Sequence, residues 1–427
     1  MCGIQITHNK KDNLIKHRGD FHFEGNLHGW EYHFSSLPIS SNSSNMFQPI
    51  ELKKGYLLFN GEIFNHNDFG FYKSDLHYLK DVFENGFDNA KFKREYKKWD
   101  GFWAICYIDD EGISFFTDPL GKKQLYYNHI GIASEIKPLL DNSKVKLVSK
   151  FGTLNTNFMN VNRALPGKFY RYDKSNLAAY NLNFNIKDYL ENDSASNDLY
   201  KLIDKSVKLR SVDNYKNIGL LFSGGLDSSI VAYHLVKNEI PFTAISINND
   251  ESETAKKIAK QIGFDIHFID DKIEQDEIEN IVYYYESVLD YGSAIPQYLL
   301  FKEAKKLGLS TILTGDGADE LFSGYTRSLD RDTQQYDVFK ELPYYHHIRI
   351  DRMSMMHTVE ARNPFLSSDI VNYALHLPYN KRKGKKILRE LYADKFDTSM
   401  KKKPLRYKQD KEYNIDLMEK TFLKVFK

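Results

Sequence analysis

Phe222-Ser223-Gly224-Gly225-Leu226-Asp227-Ser228-Ser229 carries the strongest structural signal in the chain. Leu220 to Phe222 are apolar and fit the end of a buried strand, while Ile230, Val231, His234 and Leu235 fall at helical spacing. A glycine pair between strand and helix lets the backbone approach a phosphate with no Cβ in the way. The start of the helix offers free N–H groups and a positive dipole end to an anion. Ser223, Ser228 and Ser229 add hydroxyl donors, and Asp227 can hold a Mg²⁺ that in turn binds phosphate. With no lysine and only two glycines, the stretch is not the G-x-x-x-x-G-K-[ST] loop. An ordinary serine-rich strand–helix turn is the bland alternative.

Downstream, the pattern repeats. Phe242 to Ile247 reads as a strand. Ala255, Ile258, Ala259 and Ile262 then occupy one helix face. Phe264, Ile266 and Phe268 alternate as a strand does. A helix is predicted over Gln297–Leu307 and a strand over Thr311–Leu313. Strands alternating with helices imply a doubly wound parallel sheet with ligands at the strand C-terminal ends. This α/β domain starts near Leu199.

The whole chain has 427 residues, enough for two or three domains. Lys+Arg is 59 and Asp+Glu is 58, a formal charge of +1, so no field of one sign points to nucleic acid or membrane. No apolar run is long enough to span a bilayer. The start, Met1-Cys2-Gly3-Ile4-Gln5, lacks the pattern of a signal peptide, and a cytoplasmic enzyme is the expectation. Cys2 and Cys106 alone imply no disulfide framework, and Cys106 reads as a core residue.

If Met1 is removed, Cys2 carries thiol and α-amine on one residue. The amine's ordinary pKa is about 7.7–8.0 and the thiol's about 8.5, so the amine can serve as base for the thiol. An incidental cysteine is the alternative for this residue taken alone. Asn60-Gly61 suits a type I′ hairpin turn. Ser74-Asp75 before Leu76, Leu79 and Val82 suits a helix cap.

These segments occur together in a familiar order. Met1-Cys2-Gly3-Ile4, His17-Arg18-Gly19-Asp20 and Leu58-Phe59-Asn60-Gly61-Glu62-Ile63-Phe64-Asn65 resemble class II glutamine amidotransferases. Asp118-Pro119-Leu120-Gly121, with Leu125-Tyr126-Tyr127, and Ala133-Ser134-Glu135-Ile136-Lys137 continue the likeness, as architecture. The Ser223–Ser229 loop resembles the pyrophosphate loop of ATP pyrophosphatases. Thr314-Gly315-Asp316-Gly317-Ala318-Asp319-Glu320-Leu321-Phe322-Ser323-Gly324-Tyr325 follows, then Asp351-Arg352-Met353-Ser354-Met355 through Val359-Glu360-Ala361-Arg362-Asn363-Pro364-Phe365-Leu366, and Lys385-Lys386-Ile387-Leu388-Arg389-Glu390. Jointly they resemble the asparagine synthetase (glutamine-hydrolysing) family over nearly the whole chain.

The resemblance implies residues 2–173 as a glutaminase domain of N-terminal nucleophile hydrolase type, an αββα sandwich. Residues 174–198, rich in Asn, Asp and Ser, would be a linker, and 199–427 the synthetase domain. Cys2 would be the nucleophile, with Asn60 and Gly61 as oxyanion donors and Glu62 and Asp75 on the glutamine ammonium. ATP would lie against Leu221, Ser223, Gly224, Gly225, Asp227, Ser228, Ser229, Ile245, Thr314 and Gly315, with Mg²⁺ on Asp227 and Asp319. Lys385 and Asp316 would be catalytic, and Arg352, Glu360 and Arg362 are further candidates, with a structural ion pair as their alternative. The implied partners are small molecules: glutamine, ATP and a carboxylate, with aspartate foremost. No nucleic acid or membrane is implied, and a homodimer is compatible.

One departure stands out. The family's glutamine-carboxylate arginine, in Arg-Leu-Ser-Ile or Arg-Leu-Pro-Ile, falls on Ser36 of Ser35-Ser36-Leu37-Pro38-Ile39, and serine replaces a bidentate cation poorly. Free ammonia as donor, another carboxylate (a sugar acid or metabolite), an intramolecular amide-forming enzyme like β-lactam synthetases, and a catalytically dead regulatory protein all stay open.

Overall fold

The computed structural model describes residues 2–9, 11–37, 39, 47–141, 145, 156–173, 177–181, 198–211, 218–325, 341–400 and 415–426. The chain begins with two antiparallel sheets. The first contains β1 (Cys2–Thr7), β2 (Phe21–Leu27), β3 (Trp30–Ser36), β8 (Tyr126–Asn128), β9 (Gly131–Ala133) and β10 (Asn162–Arg163), in the order β10-β8-β9-β1-β3-β2. The second contains β4 (Ile50–Leu52), β5 (Gly55–Ile63), β6 (Gly101–Asp109), β7 (Gly112–Thr117), β11 (Lys168–Asp173) and β12 (Leu177–Asn181), in the order β12-β11-β7-β6-β5-β4. Alternation along the strands sends Ile4, Ile6 and Phe34 of one sheet and Leu58, Cys106 and Phe115 of the other into one shared core. Cys106 is fully buried there.

Helices α1 (Asp75–Phe83) and α2 (Asn89–Glu95) cover the outer face of the second sheet, packing Leu79, Phe83 and Phe92 against Leu57, Trp103 and Tyr107. One-turn helices at 16–18 and 137–139 lie against the first sheet. One bland alternative falls here and one expected boundary shifts. Asn60-Gly61 is not a hairpin turn but lies inside β5, paired with Ala104 and Trp103. Strand β12 occupies part of the expected linker and extends the first domain's sheet beyond residue 173, pairing with β11; within that stretch 174–176 and 182–197 lie outside the described residues.

The second domain opens with α3 (Leu199–Ser211) and alternates as expected: β13 (Ile218–Leu221), α4 (Leu226–Lys237), β14 (Thr243–Ile247), α5 (Ser252–Ile262), β15 (Ile266–Ile269), α6 (Gln275–Tyr285), α7 (Tyr291–Lys306) and β16 (Thr311–Leu313). After α8 (Ala318–Leu321) and α9 (His346–Met355) comes β17 (Glu360–Arg362), then α10 (Ser368–His376), α11 (Tyr379–Arg382), α12 (Lys386–Tyr392) and α13 (Ile415–Val425). The segment from Asp351 to Leu366 is therefore divided between a helix and a strand. It breaks after Met355, and Glu360–Arg362 adds a fifth parallel strand beside β16.

All five strands are parallel, ordered β15-β14-β13-β16-β17. The chain adds strands on one side of β13 and then on the other, so the order reverses between β13 and β16. In doubly wound sheets that reversal opens a crevice at the strand C-terminal ends. The Ser223 loop leaves β13 there, and the Gly315 loop leaves β16.

Candidate active site

The crevice is a cavity of about 810 Å³, lined among others by Leu221, Ser223, Asp227, Ser228, Thr314, Gly315, Asp316 and Asp319. Backbone geometry builds it. Gly224 sits at φ +71°, and a Cβ there would collide with the backbone of Ala255 on α5; this glycine serves the packing of α5 as well as the turn. Gly225 is the N-cap of α4, and the Ser229 hydroxyl donates to its carbonyl at 2.8 Å. Ser223 and Ser228 hydroxyls lie 3.3 Å apart. Gly224, Gly225 and Ser229 thus shape the loop, while Ser223 and Ser228 reach the cavity wall. Ile245 is buried within β14, and Ser246 and Ile247 line the cavity in its place.

Asp227 and Asp319 meet through Lys385. The Lys385 ammonium lies 2.8 and 2.6 Å from the two Asp227 carboxylate oxygens and also pairs with Asp319 Oδ1. Lys385 holds a left-handed backbone at φ +60°, next to Gly384, also at +60°. Hydrogen bonds from the Gly384 and Lys385 N–H groups to Ser323 and Phe322 carbonyls fix this strained turn. A Cβ on Gly324 would strike both the Asp319 carboxylate and Lys385 Cε, so only glycine admits the triad.

Among the described residues, no three His, Cys, Asp or Glu side chains could hold a metal by themselves. Two carboxylates from adjacent strand ends suit Mg²⁺, a hard cation that takes its other ligands from phosphates and water. The next acid, Glu320, is pushed up to about 7 by burial and by the Asp319 charge, and accepts a hydrogen bond from Tyr325 at 2.5 Å.

In the first domain, Cys2 heads β1. Its backbone N–H donates to Asn60 Oδ1 at 3.0 Å, and its Sγ lies 3.8 Å from Ser36 Oγ. The Asn60 side chain is fully buried, and its Nδ2 has no hydrogen-bond partner among the described residues. A buried orphan donor beside a thiol is the arrangement an oxyanion needs. Burial pushes the Cys2 thiol pKa up. Asp75 opens α1 and accepts the Ile63 N–H at 3.1 Å, while Glu62 Oε1 lies 3.6 Å from Arg362 Nη2 of the second domain.

Arg352, Glu360 and Arg362 do not line the cavity. They belong to a buried charged junction between the domains. Arg18 donates Nε–H to the Cys2 carbonyl at 3.1 Å and pairs with Glu135 at 2.8 Å and Asp351 at 2.9 Å. Lys123 reaches Asp351 at 2.7 Å, and Arg352 bonds Glu286 at 3.0 Å and the Ser134 carbonyl at 2.9 Å. Glu360 receives Arg362 Nε–H at 2.5 Å. Burial alone would raise the Asp351 carboxyl, but Arg18 and Lys123 hold it well below the usual range. Segments that read as separate motifs are thus one clamp.

The far cavity wall left no signal in the sequence: Asp290 at the N-cap of α7, Gln297 within α7, and His346 and Arg349 of α9 gather there. Common residue types up to 59 residues apart carry no local pattern.

A parallel-sheet domain with acids at its strand ends, joined to a two-sheet domain headed by a cysteine, defines an ATP-dependent ligase with an amidotransferase half. Comparison makes this specific: the chain belongs to the asparagine synthase family, whose model matches residues 198–341 and 329–410. Bovine asparagine synthetase [glutamine-hydrolyzing] is 26% identical over 463 residues, covering 92% of this chain and 81% of the relative. A putative asparagine synthetase [glutamine-hydrolyzing] of Methanocaldococcus jannaschii is 25% identical, covering 89% and 74%. Among solved structures, B. subtilis glutamine phosphoribosylpyrophosphate amidotransferase covers 63% of this chain and 81% of its own at 11% identity and a TM-score of 0.33. NMN synthetase from Francisella tularensis covers 52% and 99% at 14% identity and a TM-score of 0.23. Among the described residues no helix is long and apolar enough to cross a membrane.

Proposed function

We propose that the protein forms an amide from a carboxylate, ammonia and ATP, with aspartate as acceptor and asparagine as product. The observation that carries this reading is the convergence of Asp227, Asp319 and Lys385 at one end of the cavity. Ser223 and Ser228 hydroxyls and the start of α4 bind phosphate oxygens. Asp227 and Asp319 would hold Mg²⁺, which when bound would neutralise phosphate charge. The acceptor carboxylate oxygen attacks the α-phosphorus, an O–P bond forms, and pyrophosphate leaves. Lys385 stabilises the charge that develops on the phosphates, a task of positioning and electrostatics. Ammonia then attacks the acyl carbon, the bond to AMP breaks, and one proton leaves nitrogen.

In the first domain, with Met1 removed, the Cys2 α-amine takes the thiol proton and the thiolate attacks the glutamine amide carbon; the C–N bond breaks, the α-ammonium returns the proton to the leaving ammonia, and water hydrolyses the thioester to glutamate and free Cys2. Asn60 Nδ2 and the Gly61 N–H receive the oxyanion, and Asp75 and Glu62 hold the ammonium. Ser36 favours a second reading in which free ammonia is the working donor: it lies beside Cys2 where a carboxylate-binding arginine is expected. The test is AMP and pyrophosphate release with aspartate, comparing glutamine with ammonium chloride. AMP under both donors supports the first reading, and AMP with ammonium alone supports the second. No aspartate-dependent AMP under either overturns the asparagine assignment.

A further inference from the structure

The cavity extends beyond its phosphate-facing end. On its far wall Arg349 is about nine-tenths buried, yet it lines the cavity. Its Nε–H donates to Gln297 Oε1 at 3.3 Å, its Nη1 pairs with Asp290 Oδ2, its Nη2 lies 3.4 Å from His346 Nδ1, and its Cζ lies 5.2 Å from the centre of the Tyr345 ring. The Ser293 hydroxyl donates to Asp290 Oδ1 at 3.0 Å. Asp290 itself adopts a left-handed backbone at φ +53°, uncommon for a residue with a side chain. A guanidinium has five donors and a carboxylate about four acceptor positions, so both members keep capacity beyond the bonds named.

Charge narrows what can bind. Among the described residues, eight carboxyl groups line the cavity (those of Asp227, Asp250, Glu251, Asp271, Asp290, Asp316, Asp319 and Glu320) against Arg349 as its one arginine. A sugar acid or a plain dicarboxylate brings only negative charge into such a space. An α-amino acid brings an ammonium as well, and a fixed anion beside a planar fork is the complement of its two charged groups.

We propose that Arg349 and Asp290 are the acceptor-recognition pair of this cavity, Arg349 taking the α-carboxylate and Asp290 the α-ammonium of an amino acid whose side-chain carboxylate is the group activated. The inference rests on the synthetase reading above and separates the amino-acid acceptor from its rivals.

The experiment is calorimetric titration of the whole protein with L-aspartate, succinate and β-alanine, in magnesium and a non-hydrolysable ATP analogue. Aspartate binds, while succinate, without the ammonium, and β-alanine, without the α-carboxylate, bind roughly 10- to 100-fold more weakly. Arg349→Gln weakens aspartate by a similar factor with the affinity for the ATP analogue unchanged. Asp290→Asn narrows the gap between aspartate and succinate. Succinate or β-alanine binding as tightly as aspartate in the unmodified protein, or no aspartate binding at all, overturns the proposal without recourse to any variant. Aspartate binding as described but yielding no AMP with ATP and ammonium would sink the amidation reading alone.

Discussion

Lys385 grips Asp227 through both carboxylate oxygens, at 2.8 and 2.6 Å, although 158 residues separate them in the chain. In this state the ammonium supplies positive charge at the place where a magnesium-bound polyphosphate would bring its own. Lys385→Met is therefore expected to retain ATP binding and lose turnover by about 10²–10³. Single-turnover AMP release beside an ATP-binding titration measures the split, and equal loss of both would mean that Lys385 only holds the loop.

The donor side is separable. Cys2→Ala should abolish AMP formation driven by glutamine and leave formation driven by ammonium chloride intact. Because Ser36 stands in for a guanidinium, glutamine should require far higher concentrations than ammonia to saturate the unmodified protein. Steady-state titration with each donor decides it, and a Cys2→Ala protein that still uses glutamine would remove Cys2 from the nucleophile's role.

Asp351 neutralises Arg18 and Lys123 inside the junction between domains, where all three side chains are at most 3% exposed. Breaking a buried pair by removing one partner typically costs about 3–5 kcal/mol, because charges remain stranded. Asp351→Asn should lower stability by that order in denaturant unfolding. A change below about 1 kcal/mol would show that the clamp is relaxed by water.

Much of the second domain was legible because its signals are local. Apolar periodicity marked β13 to β16, and glycines marked the two loops. What escaped was set by distant partners. Glu360–Arg362 is a strand because β16 and the Lys122 ammonium, 2.8 Å from the Ala361 carbonyl, satisfy its two edges; three residues carry no periodicity of their own. Asn60-Gly61 has turn chemistry, but pairing with β6 overrides it. Glu135 and Arg18 read as scattered motif letters, and only the fold shows them 2.8 Å apart.

Acid should weaken the fold early. Burial holds His347 at about 3 and His234 at about 4, far below an exposed imidazole near 6.5. Between pH 6.5 and about 4 the unfolded chain binds protons that these two folded-state side chains refuse, so stability falls as pH drops through that window. Each contributes a slope of up to about 1.4 kcal/mol per pH unit. Melting temperatures from pH 7.5 to 5 should decline, and less steeply in His347→Asn. A flat profile would show that the imidazoles are solvated.

Release of AMP on addition of aspartate, in the presence of Mg–ATP and ammonium chloride, shows whether Asp227 and Asp319 activate a carboxylate when the unmodified protein is compared with Asp227→Asn and Asp319→Asn. Stoichiometric AMP and pyrophosphate are expected from the first and a loss of at least about 10²-fold in either variant. Full activity in both variants, or AMP release indifferent to any added carboxylate, would contradict that role.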